Sequence, residues 1–442
     1  MIETDGLTLL FSVYADPVRG TEPKLTVRRW SRPGGLLAGL IGGTVATLAL
    51  VLLWGTGARA SAPPLATADT TTPVQCDTPP TGDELRGVWL TNVDSDVLDS
   101  RENIEEAMAF LAEHNFNVVF PVVWNDAATM YPSTVMDTLI GQRIDPQYEG
   151  RDPLRELIEE AHERGLAVIP WFEFGFAASY KADGEPILDK YPNWAARDTS
   201  GALVTKNGFD WMNGLHPGPQ DLLLDLVLEV VNEYDVDGIQ GDDRLPATPV
   251  EAGYSDYTKD LYRSEHDGRN PPGDPQGEAW KEWRTEKLSD FGRRVYDRVK
   301  AVDSSLVVSW APSPYPFGYN EYLQDWPTWI NRGVADLVHP QVYRRDISEY
   351  RSFLTKQQAE EAGWDADRVL GFYPGVLMKV GDYRMSPEEL KEVIRTNRQH
   401  GIDGEVFFFY EGLREDDGAL ANVLKSCYSE SADLPFDPAH VP

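Results

Sequence analysis

"SRENIEEAMAFLAEHNFNVVFPVVWN", residues 100–125, changes its hydrophobic period once, and that change decides the fold. Ile104, Met108 and Leu111 recur at helical spacing in its first half. From Asn117 the pattern becomes a short apolar run rich in Val and Phe, which reads as a strand. The same alternation continues in both directions. Strands are expected at "LRGVWLTNV" (85–93), "LAVIPWFEFG" (166–175), "VDGIQGDD" (236–243) and "SLVVSWAPSP" (305–314). Three more come at "VADLVHPQVY" (334–343), "RVLGFYPGV" (368–376) and "GEVFFFYEGL" (404–413). Helical patterns lie between most of them, at "DPLRELIEEAHERG", "PQDLLLDLVLEVVNEY", "TEKLSDFGRRVYDRVKAV", "WPTWINRG" and "SPEELKEVIRTNRQHG". Eight apolar strands alternating with helices predict an α/β protein with a closed (β/α)8 TIM-type barrel. An open dinucleotide-binding sheet is disfavoured, because no glycine-rich phosphate fingerprint opens any helix.

The barrel is expected over residues 84–428, with 429–442 as a C-terminal tail. Before it, residues 61–83 are rich in Pro, Thr, Ala and Asp and read as a linker. Residues 1–60 read as an export segment. Arg28, Arg29 and Arg32 precede an uncharged stretch at 33–58, whose apolar part "LLAGLIGGTVATLALVLLW" spans 36–54. Positive charge before an apolar run predicts export of the chain beyond it, with the run as a cleaved signal peptide or as an uncleaved anchor in the inner membrane. The barrel is then periplasmic or extracellular. Cys76 and Cys427, the only two cysteines, flank the barrel, so a disulfide between them is expected in an oxidising compartment.

The formal charge is -32, from 72 acidic and 40 basic residues. Residues 1–60 hold six basic and four acidic side chains, so the acidity belongs to the folded part. Such a field excludes nucleic acid and anionic lipid surfaces as partners. Seven dispersed histidines with no HExxH spacing exclude a catalytic zinc. No G-x-S-x-G elbow is present. Neither a metal nor a cofactor is called for.

In a barrel of this kind the strand C-terminal ends and the loops after them carry the chemistry. "VDGIQGDDRLP", residues 236–246, ends a buried strand in two adjacent acids, Asp242 and Asp243, and burying carboxylates without partners is costly. The other strand ends supply Asn92, Trp124, Trp171, Glu173, Arg244, Trp310, Gln341, Tyr343, Arg344, Tyr373 and Glu411. The loops after the second, third and fourth strands are long and bring Tyr131, Tyr180, Tyr191, Trp194, Phe209, Trp211, Tyr254 and Tyr257. Carboxylates ringed by amides and aromatic faces suit glycoside hydrolysis, in which one acid protonates the leaving oxygen and a second attacks or activates water. Asp242 is expected as nucleophile or base, Glu173 or Glu411 as proton donor, with Asp243 a further candidate. The remaining strand-end residues are expected to bind substrate.

"LRGVWLTNVDSDVL", "NVVFPVVWNDAATMYPS", "VIPWFEFGF", "DVDGIQGDDRLP", "WAPSPYPFGYNEYLQDWPTWINRG" and "HPQVYRRD" together resemble the glycosyl-hydrolase-like family 10, over about Glu84 to Leu413. The resemblance implies a (β/α)8 barrel in an envelope or secreted protein. A characterised envelope member of that family hydrolyses peptidoglycan glycan strands stripped of their peptides. Carried onto this chain, the family's acidic pair falls on Asp242 and Asp243, its Gln-Val-Tyr segment on Gln341, Val342 and Tyr343, and its third-strand Glu on Glu173. Relatives often have His and a bulky residue before the acidic pair, where this chain has Gln240 and Gly241. Barrels with a fourth-strand nucleophilic Asp commonly use a Glu after the fifth strand, and here that strand ends "SWAPSP". The expected substrate is therefore a glycan polymer, first of all peptidoglycan strands. Arg244, Arg344, Arg345 and Lys379 would pair its lactyl carboxylates. A neutral extracellular polysaccharide is the alternative, as is a non-catalytic glycan-binding protein on the same barrel.

Overall fold

The computed structural model describes residues 83–439, all within one compact unit. The export segment, the linker up to residue 82 and Cys76 lie outside the described residues. Among the described residues no helix is long and apolar enough to cross a membrane.

Eight strands form the centre. They are β1 (Leu85–Leu90), β2 (Val118–Pro121), β3 (Ala167–Val168 and Trp171–Phe172) and β4 (Gly238–Gly241). Then come β5 (Val307–Trp310), β6 (Leu337–Val338), β7 (Gly371–Phe372 and Gly375–Leu377) and β8 (Gly404–Phe408). Every pairing among them is parallel. The first half of β3 pairs with β2 and its second half with β4. The first half of β7 pairs with β6 and its second half with β8. The two five-stranded sheets thus share β3 and β7, and with β1 between β8 and β2 the ring closes. Each interruption contains a proline, Pro170 or Pro374, whose missing N–H removes one ladder bond.

One main helix comes after each strand: α1 (Arg101–Glu113), α2 (Pro153–His162), α3 (Pro217–Glu233), α4 (Glu278–Val302), α5 (Trp326–Asn331), α6 (Ile347–Gln357), α7 (Pro387–Gln399) and α8 (Ala419–Cys427). Ile104, Met108 and Leu111 of α1 are buried, as their spacing predicts. Two helices, α6 and α8, are not among those expected from the sequence, although in α8 the buried Leu420, Val423, Leu424 and Cys427 recur at helical spacing. The long loop after β3 folds into a three-stranded antiparallel sheet of Ala177–Tyr180, Thr205–Lys206 and Phe209–Trp211. The loop after β4 carries a further helix, Asp256–Glu265.

The chain after Tyr428 is part of the barrel's N-terminal face. The carbonyl of Asp433 accepts from the Glu84 N–H at 2.8 Å, and that of Glu430 accepts from Arg86 Nη1 at 2.6 Å. Asn117 Nδ2 donates to Ala432 at 3.2 Å, and Leu434 and Phe436 pack on the core. Truncation after Tyr428 leaves the Glu84 N–H unpaired, at about 1–3 kcal/mol, and removes one of two acceptors from Arg86 Nη1 and from Asn117 Nδ2, which keep Asn115 and Glu84. A fall of several degrees in Tm is the expected result, and an unchanged melt would show the segment to be dispensable.

Candidate active site

Side chains along each strand alternate between the helix layer and the barrel lumen. Gln240 faces the lumen, where its Oε1 accepts from Trp89 Nε1 at 2.6 Å and its Nε2 donates to Ser309 Oγ at 2.9 Å. Gly241 faces outward, and a Cβ there would lie 2.4 Å from the Trp310 ring. Asp242, next in phase with Gln240, faces the lumen again. The turn after it is clamped from two sides. The N–H of Phe176 donates to the Arg244 carbonyl at 2.9 Å, and Gln324 Nε2 donates to the Asp242 carbonyl at 3.0 Å. Gly175 makes the first contact possible, since a Cβ there would sit 2.2 Å from the Arg244 carbonyl oxygen.

Arg244 gathers three acids. Its Nη2 lies 2.9 Å from Asp242 Oδ2 and 3.6 Å from Glu173 Oε1, and its Nη1 lies 2.8 Å from Asp243 Oδ1. Its Nε donates to the Glu173 carbonyl at 3.0 Å, and the guanidinium carbon lies 4.6 Å from the Phe209 ring centroid. The other oxygens are held as well. Gln341 Nε2 donates to Asp242 Oδ1 at 2.6 Å, and Asn125 Nδ2 donates to Glu173 Oε2 at 2.5 Å.

Burial pushes the Glu173 carboxyl up to about 7, against the opposing pull of Arg244 and Asn125. Burial raises Asp242 well above the usual carboxylate range, and the charge of Asp243 adds to it while Arg244 opposes. Burial works against the charge on Arg244, but the three carboxylates outweigh it and hold the guanidinium ionised. Burial also raises Tyr343, and the three acids add to that, which places its hydroxyl in their field. Its ring stacks on Phe408 at 5.0 Å and meets Trp89 edge-on at 6.4 Å. Trp171 lies 6.3 Å from Trp89 and 6.4 Å from Phe408. Four aromatics, Trp89, Trp171, Tyr343 and Phe408, thus line the lumen beside the acids.

Other expected residues lie elsewhere. Glu411 accepts from Ser95 Oγ at 2.8 Å and feels the charges of Asp96, Lys379 and Asp94, so it belongs to the rim between the loops after β1 and β8. Trp310 turns to the helix layer, packs 5.6 Å from Trp329 and donates to the Val334 carbonyl at 2.8 Å, so it is no sugar platform. Tyr373 points to the opposite end of the barrel, where burial and the charges of Asp403, Asp83 and Glu84 raise its hydroxyl. Trp124 is buried and donates to the Gly175 carbonyl at 3.1 Å, which braces the loop after β3. Asn92 comes just after β1, with its Oδ1 buried and unpaired. Arg344 stacks on Phe353 of α6, 3.3 Å from the ring centroid, and Arg345 lies over Tyr383. Lys379 is paired to Asp94 and Glu415, each at 3.0 Å. His339 is held neutral, pushed down to about 3 by burial. Cys427 is buried at the end of α8, and its expected partner is outside the described residues. Sequence reasoning missed the lumen role of Trp89 and Phe408 and the support from Gln324. Only strand phase pointed to the first two, and nothing local pointed to Gln324. Among the described residues no group of acids, histidines and cysteines is arranged to hold a metal ion.

A closed barrel with lumen-facing acids at its strand ends has the make-up that glycoside hydrolysis requires. The model of the family "Glycosyl hydrolase-like 10" matches residues 84–387, and the chain belongs to that family. It is 25% identical to the glycosyl hydrolase DigH of Escherichia coli (strain K12) over 335 residues, 63% of this chain and 72% of that protein. It is 25% identical to the glycosyl hydrolase YngK of Bacillus subtilis (strain 168) over 412 residues, 81% of this chain and 73% of that protein. Its fold is similar to the glycoside hydrolase domain of PgaB (BpsB) from Bordetella bronchiseptica, with a TM-score of 0.58 at 14% identity, over 77% of this chain and 99% of that one.

Proposed function

We propose that the chain is an exported hydrolase that cleaves glycosidic bonds within an envelope glycan, with Glu173 as proton donor and Asp242 as nucleophile. One observation carries the pairing: Glu173 Oε1 and Asp242 Oδ2 lie 3.6 and 2.9 Å from the same nitrogen of Arg244. That shared nitrogen limits the separation of these two oxygens to at most roughly 6.5 Å, a bound within which two carboxyls can act on one glycosidic bond. Glu173, protonated up to about pH 7, gives its proton to the glycosidic oxygen while an Asp242 oxygen bonds to the anomeric carbon. Water then releases the sugar and returns a proton to Glu173. The attack needs Asp242 ionised; Arg244 and Gln341, which each hold one of its oxygens, work toward that form against the burial and the Asp243 charge that raise its pKa. Asp242 is 1% exposed and Glu173 6%, so both acids are buried beneath their neighbours. Export is supported by the charged and apolar pattern of residues 28–58.

Peptidoglycan strands freed of peptides are the first substrate to test, on the strength of the family resemblance. A second reading, a neutral polysaccharide, is favoured by the state of the cations. Arg244 and Lys379 are each engaged by carboxylates, and Arg344 is stacked on Phe353. Turnover of peptide-free strands and of a neutral β-linked polysaccharide should be compared, with Asp242→Asn as control. Faster release of reducing ends from the strands supports the first reading, and the reverse order selects the second. Equal turnover by wild type and Asp242→Asn would rule out the proposed nucleophile.

A further inference from the structure

We infer that the indole N–H of Trp171 is held in the lumen as the hydrogen-bond donor to an uncharged oxygen of the sugar bound beside Glu173 and Asp242, an inference that rests on the hydrolase reading above. Trp171 is 3% exposed, and its Nε1 has no hydrogen-bond partner. A buried N–H without an acceptor works against the folded state, and native proteins carry few such groups. The neighbouring lumen indole shows the ordinary solution: Trp89 Nε1 is satisfied by Gln240 at 2.6 Å.

Position ties the unpaired donor to the chemistry. Trp171 and Glu173 are two residues apart on β3 and so share its lumen face. The Trp171 ring is 6.3 Å from Trp89 and 6.4 Å from Phe408, and Phe408 carries Tyr343 stacked at 5.0 Å. Tyr343 lies in the field of Asp242, Asp243 and Glu173, so these rings form the apolar floor next to the acids. Other indoles also lack an acceptor, but Trp280 is on α4, Trp326 on α5 and Trp211 in the sheet after β3, all outside the lumen. His339 Nε2 is buried and unpaired too, yet its ring packs against Phe120 and Tyr373, toward the opposite end.

The surroundings also set the ligand chemistry. An anionic oxygen is disfavoured beside three acids that share one arginine, so the acceptor is a hydroxyl or carbonyl oxygen. A sugar hydroxyl accepts a hydrogen bond without bringing charge and meets that requirement.

The test removes the N–H and keeps the ring, by Trp171→Phe and, as a closer isostere, by incorporation of benzothienylalanine at position 171. Binding is read calorimetrically in the Asp242→Asn protein, with peptide-free glycan-strand fragments and neutral gluco-oligosaccharides as probes. Loss of one well-placed hydrogen bond should weaken binding about 10-fold in the isostere. Its Tm should stay level or rise, because a buried unpaired donor is gone. Unchanged binding in the isostere overturns the inference, as does a lack of binding by both probes to the parent protein. Binding that depends on the N–H in a protein that never hydrolyses either glycan would sink the hydrolase reading and leave this inference standing.

Discussion

Glu173→Gln is expected to slow glycan hydrolysis by about 10²–10⁴-fold, the range for removal of a general acid. The amide keeps the shape of the side chain and its neighbour Asn125, but it has no proton to give. The pH profile should change with it. Burial holds the Glu173 proton up to about pH 7, so wild-type activity falls on the alkaline side near that value, and the residual activity of the variant should lack that limb. Stability moves in a defined direction as well. The folded-state pKa is raised above the ordinary value of 4.5, so the folded protein binds the proton more tightly than the unfolded chain. That contribution is complete below pH 4.5 and disappears as pH rises through about 7. The Tm of wild type should therefore drop relative to Glu173→Gln across that window. Activity-pH curves and melts at matched pH check both, and a wild-type profile with no alkaline limb near 7 would remove Glu173 from the role.

Arg244→Ala is expected to have the largest effect on stability, about 3–5 kcal/mol, the usual cost of removing one partner from a buried ionic cluster. Three carboxylates rely on this one guanidinium, at 2.8, 2.9 and 3.6 Å. The Glu173 carbonyl loses its donor too, and Phe209 loses the cation over its face. The loss should shrink at low pH, where protonated acids no longer repel one another. Chemical denaturation at acidic and neutral pH measures it. A loss below about 1 kcal/mol at neutral pH would mean that the acids are neutral without Arg244. Arg244 is thus a scaffold for the acids, and the expectation that it binds substrate carboxylates gives way to that role.

The barrel was legible because its code is local. A helix buries every third or fourth residue and a fully buried strand buries its whole run, so eight alternations announce eight units without any knowledge of contacts. The short helix α6, "ISEYRSFLTKQ", escaped because it buries few residues, among them Tyr350 and Leu354. Strand phase carried some site information as well. Asp242 sits in phase with lumen-facing Gln240, whereas Trp310 is paired in register with outward-facing Gly241. Applied to the fifth strand, the same rule would have removed Trp310 from the sugar-binding set. No such rule was available for Glu173 against Glu411, since both end a strand in acid.

From the sequence alone came the α/β alternation, the closed ring it implies, and an acidic pair at the end of β4, because each is written in spacing along one segment. Only the tertiary structure decided that Glu173 rather than Glu411 stands beside Asp242 and that Arg244 and Lys379 are already engaged. It alone left the Trp171 N–H without a partner. Which side chains meet across a barrel depends on stagger and loop path between strands far apart in the chain, and one-dimensional spacing does not record that distance.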